Sequence, residues 1–380
     1  MSLLEFATRC VDELPARSAE IEGARRLPSD LADEMRRAGV FRMLVPQVYG
    51  GLEVHPRQFI EVLKLISIGD GSAGWNAMIG STTGILSASL PEEFARAIYG
   101  ENPDVLTVGV TAPLGKAQIE GENLVVSGRW PFGSGCNNAD WICGGCFVYE
   151  DGEQVMGTFG PVIRLVMFKA DQVNIEDTWQ VTGLRGTGSH HYSVDNVVVP
   201  RGRSVLLGNR AAIRTPLFQF PMLGLLALGV ASVSLGVGYA ALESFKELAG
   251  VKKPTGSNRK LIDRQMVQSD VAKSVADLES SEAYMQKVVD DAWRAAEQGE
   301  RLSLDQKSAL RLAAVNATHK SVAAVDRLYQ LGGGSSIYMD NPLQRCFRDI
   351  HVTTQHIMVA QPIYELTGKV LLGLDPKQPI

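Results

Sequence analysis

Between Arg214 and Glu243 the chain carries no charged residue, reading TPLFQFPMLGLLALGVASVSLGVGYAAL. A run of this length can cross a bilayer, so it must either sit in lipid or be enclosed by other protein. Pro216 and Pro221, Ser232 and Ser234, and the glycines from Gly224 to Gly238 interrupt it. No basic cluster flanks one end, as membrane topology would require. Small residues at close spacing let neighbouring helices approach tightly. The run therefore reads as the central helix of a soluble bundle, with no membrane contact.

The rest of the chain must then supply the helices that enclose it. Leu31, Met35 and Ala38 repeat at helical spacing after Pro28 and Ser29, and Pro56 opens a helix through Phe59, Leu63 and Ile66. A third helix starts near Ser72 and carries Trp75 and Met78. From about Asn102 to Arg210 the period changes to short β-branched runs such as VLTVGV, LVVSGRW, VIRLVMF and HHYSVDNVVVP, with GEN and EDG as turns. Beyond Arg214 long apolar stripes return, through Val271, Leu278, Met285 and Trp293, then through Leu310, Ala317 and Leu328. The expected fold is α+β. It has an N-terminal helical domain over 1–102, a central antiparallel β-domain over 103–212 and a C-terminal helical bundle over 213–380.

Charge and motifs exclude several functions. Thirty-seven basic residues against 42 acidic ones give a net charge of −5, so nothing draws the chain to nucleic acid. Five scattered cysteines do not make a secreted disulfide framework, and the single CxxC, Cys143 to Cys146, lies in a strand pattern without a second ligand pair. The opening residues alternate acids with apolar side chains, unlike a signal peptide, and a reducing cytoplasm is the expected location. No dinucleotide GxGxxG, phosphate loop, GxSxG elbow or HExxH is present. His351 and His356 are the histidines of interest, but five helical residues turn the direction by about 140°, so they cannot share one site. The residues alone lead to an enzyme-like chain without an assigned reaction.

Four stretches in order carry a family resemblance: LVPQVYGG (44–51), SGRWPFGSGCNNADW (127–141), WQVTGLRGTGSHHYSVDNVVVP (179–200) and LYQLGGGSSIYMDNPLQRCFRD (328–349). Together they resemble the acyl-CoA dehydrogenase fold, whose C-terminal domain is a four-helix bundle. That likeness implies a flavin bound between β-domain and bundle, and a homotetramer. The dehydrogenases carry a glutamate base about nine residues after the arginine of the RD pair, and that position here is Ile357. Glu365 lies too far on, and Glu243 is the remaining candidate on an earlier helix.

WPFGSG and the terminal RDxH…QH pattern instead resemble the flavin-dependent monooxygenases of this fold. By that resemblance the chain is the oxygenase component of a two-component system. A separate NAD(P)H-dependent reductase supplies reduced flavin, FADH2 ahead of FMNH2, and O2 is the cosubstrate. The implied reaction hydroxylates a small electron-rich aromatic, phenol or indole in type, through a flavin C4a-hydroperoxide. The resemblance makes Ser134 and His356 catalytic, with Ser134 near flavin N5. It makes Trp130 and Phe132 walls of the flavin ring, and Arg259, Gln330, Gly332 and Gly333 its phosphate contacts. Trp75, Asn76 and Met78 are the expected substrate lining. Two alternatives stay open at this point: an acyl-CoA dehydrogenase with tightly bound FAD, and an N-hydroxylating monooxygenase acting on an amine.

Overall fold

The computed structural model describes residues 2–158, 160–209 and 211–380. Four helices open the chain: α1 (Leu3–Ala24), α2 (Ser29–Arg37), α3 (Pro56–Gly69) and α4 (Gly71–Gly84). A capping box starts α1, with Ser2 and Glu5 each satisfying the other's free backbone N–H. Asp70 starts α4, its carboxylate accepting from Ala73 N at 2.9 Å. Almost every residue of α4 is buried, so this helix is core on all its faces.

The middle of the chain forms one large sheet, with a separate two-stranded ribbon pairing Met156–Gly157 with Gly160–Pro161. The large sheet's main strands are β1 (Thr107–Glu120), β2 (Asn123–Gly133), β3 (Trp141–Glu150), β4 (Ile163–Lys169), β5 (Asn174–Glu176), β6 (His190–Pro200) and β7 (Ser204–Leu206). Their spatial order is β7-β4-β3-β1-β2-β6-β5. The sheet is not wholly antiparallel as the sequence suggested: β1 and β3 pair in parallel, Thr107 opposite Trp141 and Gln118 opposite Tyr149. The antiparallel hairpin β1–β2 leaves the far edge of β1 open. The short helical turn Cys136–Asn138 then carries the chain across to that edge, where β3 enters in the same direction.

The bundle follows: α5 (Met222–Val251), α6 (Gln265–Glu297), α7 (Leu304–Gly332), α8 (Pro342–Thr353) and α9 (Pro362–Leu371). The uncharged run is α5, and it is enclosed by α3, α4, α7 and α8. Close packing depends on its small residues. A side chain at Gly236 would overlap Ser67 and the backbone of Lys64 on α3. The same helix is long and apolar enough to span a membrane by length and composition, but 83% of its most apolar window is buried by protein.

Three ties lock the parts together. Arg25, just past α1, pairs with Asp177 of the sheet region at 2.6 Å. Arg348 of α8 holds Glu22 of α1 and donates to the carbonyl of Thr182 at 2.6 Å. The Asp349 carboxylate accepts from Leu184 N, also at 2.6 Å. The last two fix one loop, 182–189, against both helical regions.

Candidate active site

That loop makes the site. Leu184 stands at φ +48° although it is not glycine, a conformation an L-residue holds only when its surroundings enforce it. The buried Asp349 carboxylate is the enforcing partner. From Leu184 the chain turns so that Thr187 and Ser189 face inward, 1% and 3% exposed. Gly188, at φ +53°, lies where a side chain would press on the Arg25 carbonyl.

Four side chains then meet in one row. Trp75 Nε1 donates to Ser134 Oγ at 3.0 Å. Ser134 Oγ lies 2.7 Å from Ser189 Oγ, which lies 2.7 Å from Thr187 Oγ1. Thr187 in turn donates to the Leu184 carbonyl at 2.8 Å. A hydroxyl has one hydrogen and two lone pairs, so this last bond decides the direction of the others. Thr187 has spent its hydrogen on Leu184, so Ser189 donates to Thr187 and Ser134 donates to Ser189. Ser134 receives the indole N–H and keeps one lone pair free. It is therefore an acceptor toward anything placed beside it.

On the other side of Trp75 stands His356, its ring edge-on to the indole with centroids 5.5 Å apart. Helix α8 ends at Thr353, so His356 lies in the turn beyond it and not on a helical face. Burial, and then the nearby Arg311 guanidinium, push its pKa down to about 4, which keeps the ring neutral near pH 7. Met358 N donates to Nδ1 at 3.3 Å, so the ring proton sits on Nε2. His351 is elsewhere. It is exposed, stacked edge-on against Phe347 and paired with Asp326 at 2.9 Å.

The other candidates divide. Phe132 stands at φ +65° and is 65% exposed, its ring edge-on to Trp179 and His191. Trp130 does not wall any opening. It is fully buried, stacked on Tyr192, its Nε1 donating to the Gly145 carbonyl at 2.8 Å. The indole fits only because Gly128 and Gly144 offer no side chain against its face. Asn76 is a clamp, donating to the carbonyls of Ser72 and Gly186 at 3.0 and 3.2 Å. Met78 is core, packed where Gly229 of α5 passes. Of the three expected lining residues, only Trp75 reaches the row.

Arg259, Gln330, Gly332 and Gly333 belong to the other end of α8. Lys252 donates to the Gly332 carbonyl, Gly332 abuts Leu343, and the Arg259 loop starts from Lys252. Twelve helical residues, roughly 18 Å, separate that end from His356. Arg259 donates to the Asp263 carbonyl of its own loop, and Gln330 and Gly333 are exposed. Ser189, Thr187 and Arg311 went unnoticed in the sequence. GTGS, with a glycine on either side of Thr187, was the signal for the first two.

These residues fit a flavin. A strained, exposed aromatic beside a buried hydroxyl with a free lone pair suits a flat heteroaromatic ring carrying N–H donors. Carboxylates for a dehydrogenase lie away from the row: Glu243 pairs with Lys246 at 2.6 Å and Glu365 with Lys369 at 2.8 Å. Ile357, at the usual base position, is exposed. The five cysteines are free and buried, and no metal-binding cluster occurs among the described residues.

Comparison with known proteins agrees with this chemistry. Residues 228–361 match the family model "Acyl-CoA dehydrogenase, C-terminal domain". The chain is 32% identical to an indole-3-acetate monooxygenase of Acinetobacter baumannii, over 94% of this chain and 91% of that one. It is 30% identical to the oxygenase component of an FADH2-dependent resorcinol hydroxylase of Rhizobium sp., over 94% and 91%. Among solved structures, XiaF from Streptomyces sp., in complex with FADH2 and glycerol, superposes with a TM-score of 0.92 at 26% identity, over 99% and 96%.

Proposed function

This chain belongs to the flavin-dependent monooxygenases of the acyl-CoA dehydrogenase fold, and we propose that it is the oxygenase component of a two-component system that hydroxylates an indole-type aromatic. The observation that carries the reading is the one-way row Trp75–Ser134–Ser189–Thr187, flanked by a neutral imidazole and an exposed, strained Phe132.

Phe132 would carry the flavin ring, and the free lone pair of Ser134 would accept the N–H at N5 of its reduced form. Bound reduced flavin supplies the two electrons with which dioxygen is activated. The chain's own side chains then position and protect. Trp75 and Ser134, 7% and 5% exposed, keep water from the reacting face. Nε2–H of His356 donates a hydrogen bond and so orients either the oxygen or the substrate. With Nδ1 occupied and its pKa about 4, His356 is a poor base. That favours an indole, whose ring is electron-rich without losing a proton, over a phenol that reacts best as phenolate.

A separate NAD(P)H-dependent reductase delivers the flavin, and the oxygenase-component name of the resorcinol relative supports this. FADH2 is placed ahead of FMNH2, in line with the XiaF complex and the same relative. The reading keeps the three domains at 1–102, 103–212 and 213–380, a homotetramer and a cytoplasmic location. Exposed apolar residues at Ile337 to Met339 and at Leu371, Leu372 and Leu374 support self-association.

The test mixes the protein anaerobically with FADH2 or FMNH2, adds oxygen and indole, and measures hydroxylated indole and hydrogen peroxide per flavin oxidised. Product from reduced flavin alone is expected. If every electron ends in hydrogen peroxide, while acyl-CoA bleaches bound oxidised FAD, the dehydrogenase reading replaces this one.

A further inference from the structure

Among the described residues, Arg311 is the one deeply buried guanidinium that the fold leaves without an acid. It lies on α7 and is 3% exposed. Nη2 makes a single long bond, 3.5 Å, to the Met358 carbonyl, and Nε has no partner. Burial alone pushes its pKa down, with no neighbouring carboxylate to offset it. Other sheltered arginines are provided for: Arg348 holds Glu22, Arg327 holds Asp277, and Arg164 bonds Ser204 twice. A buried, unpaired charge is costly to a fold and persists where a ligand completes it.

Its position says which ligand. Arg311 bonds the carbonyl of Met358, and the N–H of the same residue bonds Nδ1 of His356. The guanidinium and the imidazole are thus held on one short piece of backbone, and Arg311 is the charge that acts on His356. Nε and Nη2 form one edge of the guanidinium, the edge that grips a carboxylate with two parallel bonds. We propose that Arg311 docks the carboxylate of the substrate, so that the substrate class is an aromatic acid with the carboxylate on a short tether from an indole ring. The inference rests on the hydroxylase reading and narrows it. The indole-3-acetate specificity in the name of one relative points the same way.

The test compares indole-3-acetate with 3-methylindole, which keeps the ring and lacks the carboxylate. Binding of each to the full chain is measured by calorimetry, and hydroxylated product is measured with reduced flavin. The wild type is expected to favour the acid on the order of 100-fold, as a buried charge-assisted pair would. Arg311→Met should bring that ratio close to 1 by weakening the acid alone, and Arg311→Lys should fall between. Retained affinity for 3-methylindole shows that each variant is folded. Equal affinities in the wild type, or an equal loss for both ligands in Arg311→Met, would overturn the proposal. Absence of product from both indoles sinks the hydroxylase reading instead, while the binding ratio still reports on Arg311.

Discussion

Replacing Ser189 by alanine tests the direction assigned to the hydroxyl row. In the wild type Ser134 gives its hydrogen to Ser189 at 2.7 Å and so meets the flavin only as an acceptor. Without the Ser189 oxygen that hydrogen is released and can turn toward N5. Oxidised flavin has a lone pair at N5 and would gain a hydrogen bond. Reduced flavin has an N–H there and would gain none. One buried hydrogen bond is worth about 1–1.5 kcal/mol, so the ratio of reduced to oxidised affinity should fall about tenfold. Because that ratio sets the potential of the bound couple, the potential should rise less on binding, by about 30 mV. Anaerobic titration with FADH2 and aerobic titration with FAD measure both affinities. Thr187 keeps its bond to Leu184, so the loop should hold and the stability loss should stay near 1–2 kcal/mol. An unchanged ratio in a folded variant would refute the one-way row.

Three further outcomes are expected. His356→Ala should lower hydroxylated product per flavin oxidised by at least tenfold, with the electrons recovered as hydrogen peroxide; wild-type coupling would remove His356 from the mechanism. Phe132→Gly should relieve the φ +65° strain and raise stability by about 1 kcal/mol in denaturant unfolding, while flavin affinity drops about tenfold; unchanged affinity would show that the ring carries nothing. Asp349 is held up to about 7, first by burial and then by Asp70. A carboxyl raised in the folded state binds its proton more tightly there than in the unfolded chain. Its contribution is therefore full below the ordinary value of 3.8 and is lost as pH rises through about 7. Asp349→Asn keeps the acceptor for Leu184 N and removes that loss, so its Tm should gain on the wild type steadily from pH 5 to 8; a constant difference would contradict the assignment.

Much of the fold was legible because it is written in local patterns. The uncharged run could only be enclosed or membrane-bound, and its prolines, serines and glycines chose between the two. The change of period after Asn102 marked the sheet. What failed was pairing: nothing in either strand says that β1 meets β3 in parallel, since that depends on which edge the hairpin leaves open. Trp130 shows a nearer miss. Leu124, Val126 and Trp130 alternate onto one buried face of β2, so parity alone sends Trp130 inward. Phe132 shares that parity, yet the ladder is irregular between Trp130 and Gly133, and the left-handed φ turns its ring outward. Ser134 and His356 came from a family resemblance, and the row that joins them did not. Arg311 was illegible for a different reason: a missing partner is a property of the packed state, and no spacing in the chain announces it.

The site also sets an order of events in time. Trp75, Ser134 and Ser189 all leave the ribosome well before His356, and at ordinary rates of synthesis the interval is some tens of seconds. The clamp that shapes the 182–189 loop, Asp349, arrives just ahead of His356. A nascent chain therefore exposes the aromatic platform while the loop beneath it is still unclamped, and only the last turn after α8 brings the imidazole. Chains released early, within the final helices, would keep most of their core and lose the hydrogen-bonding imidazole that flanks the row. Quality control that watches only for unburied core would pass such chains, and they would reduce oxygen without using it.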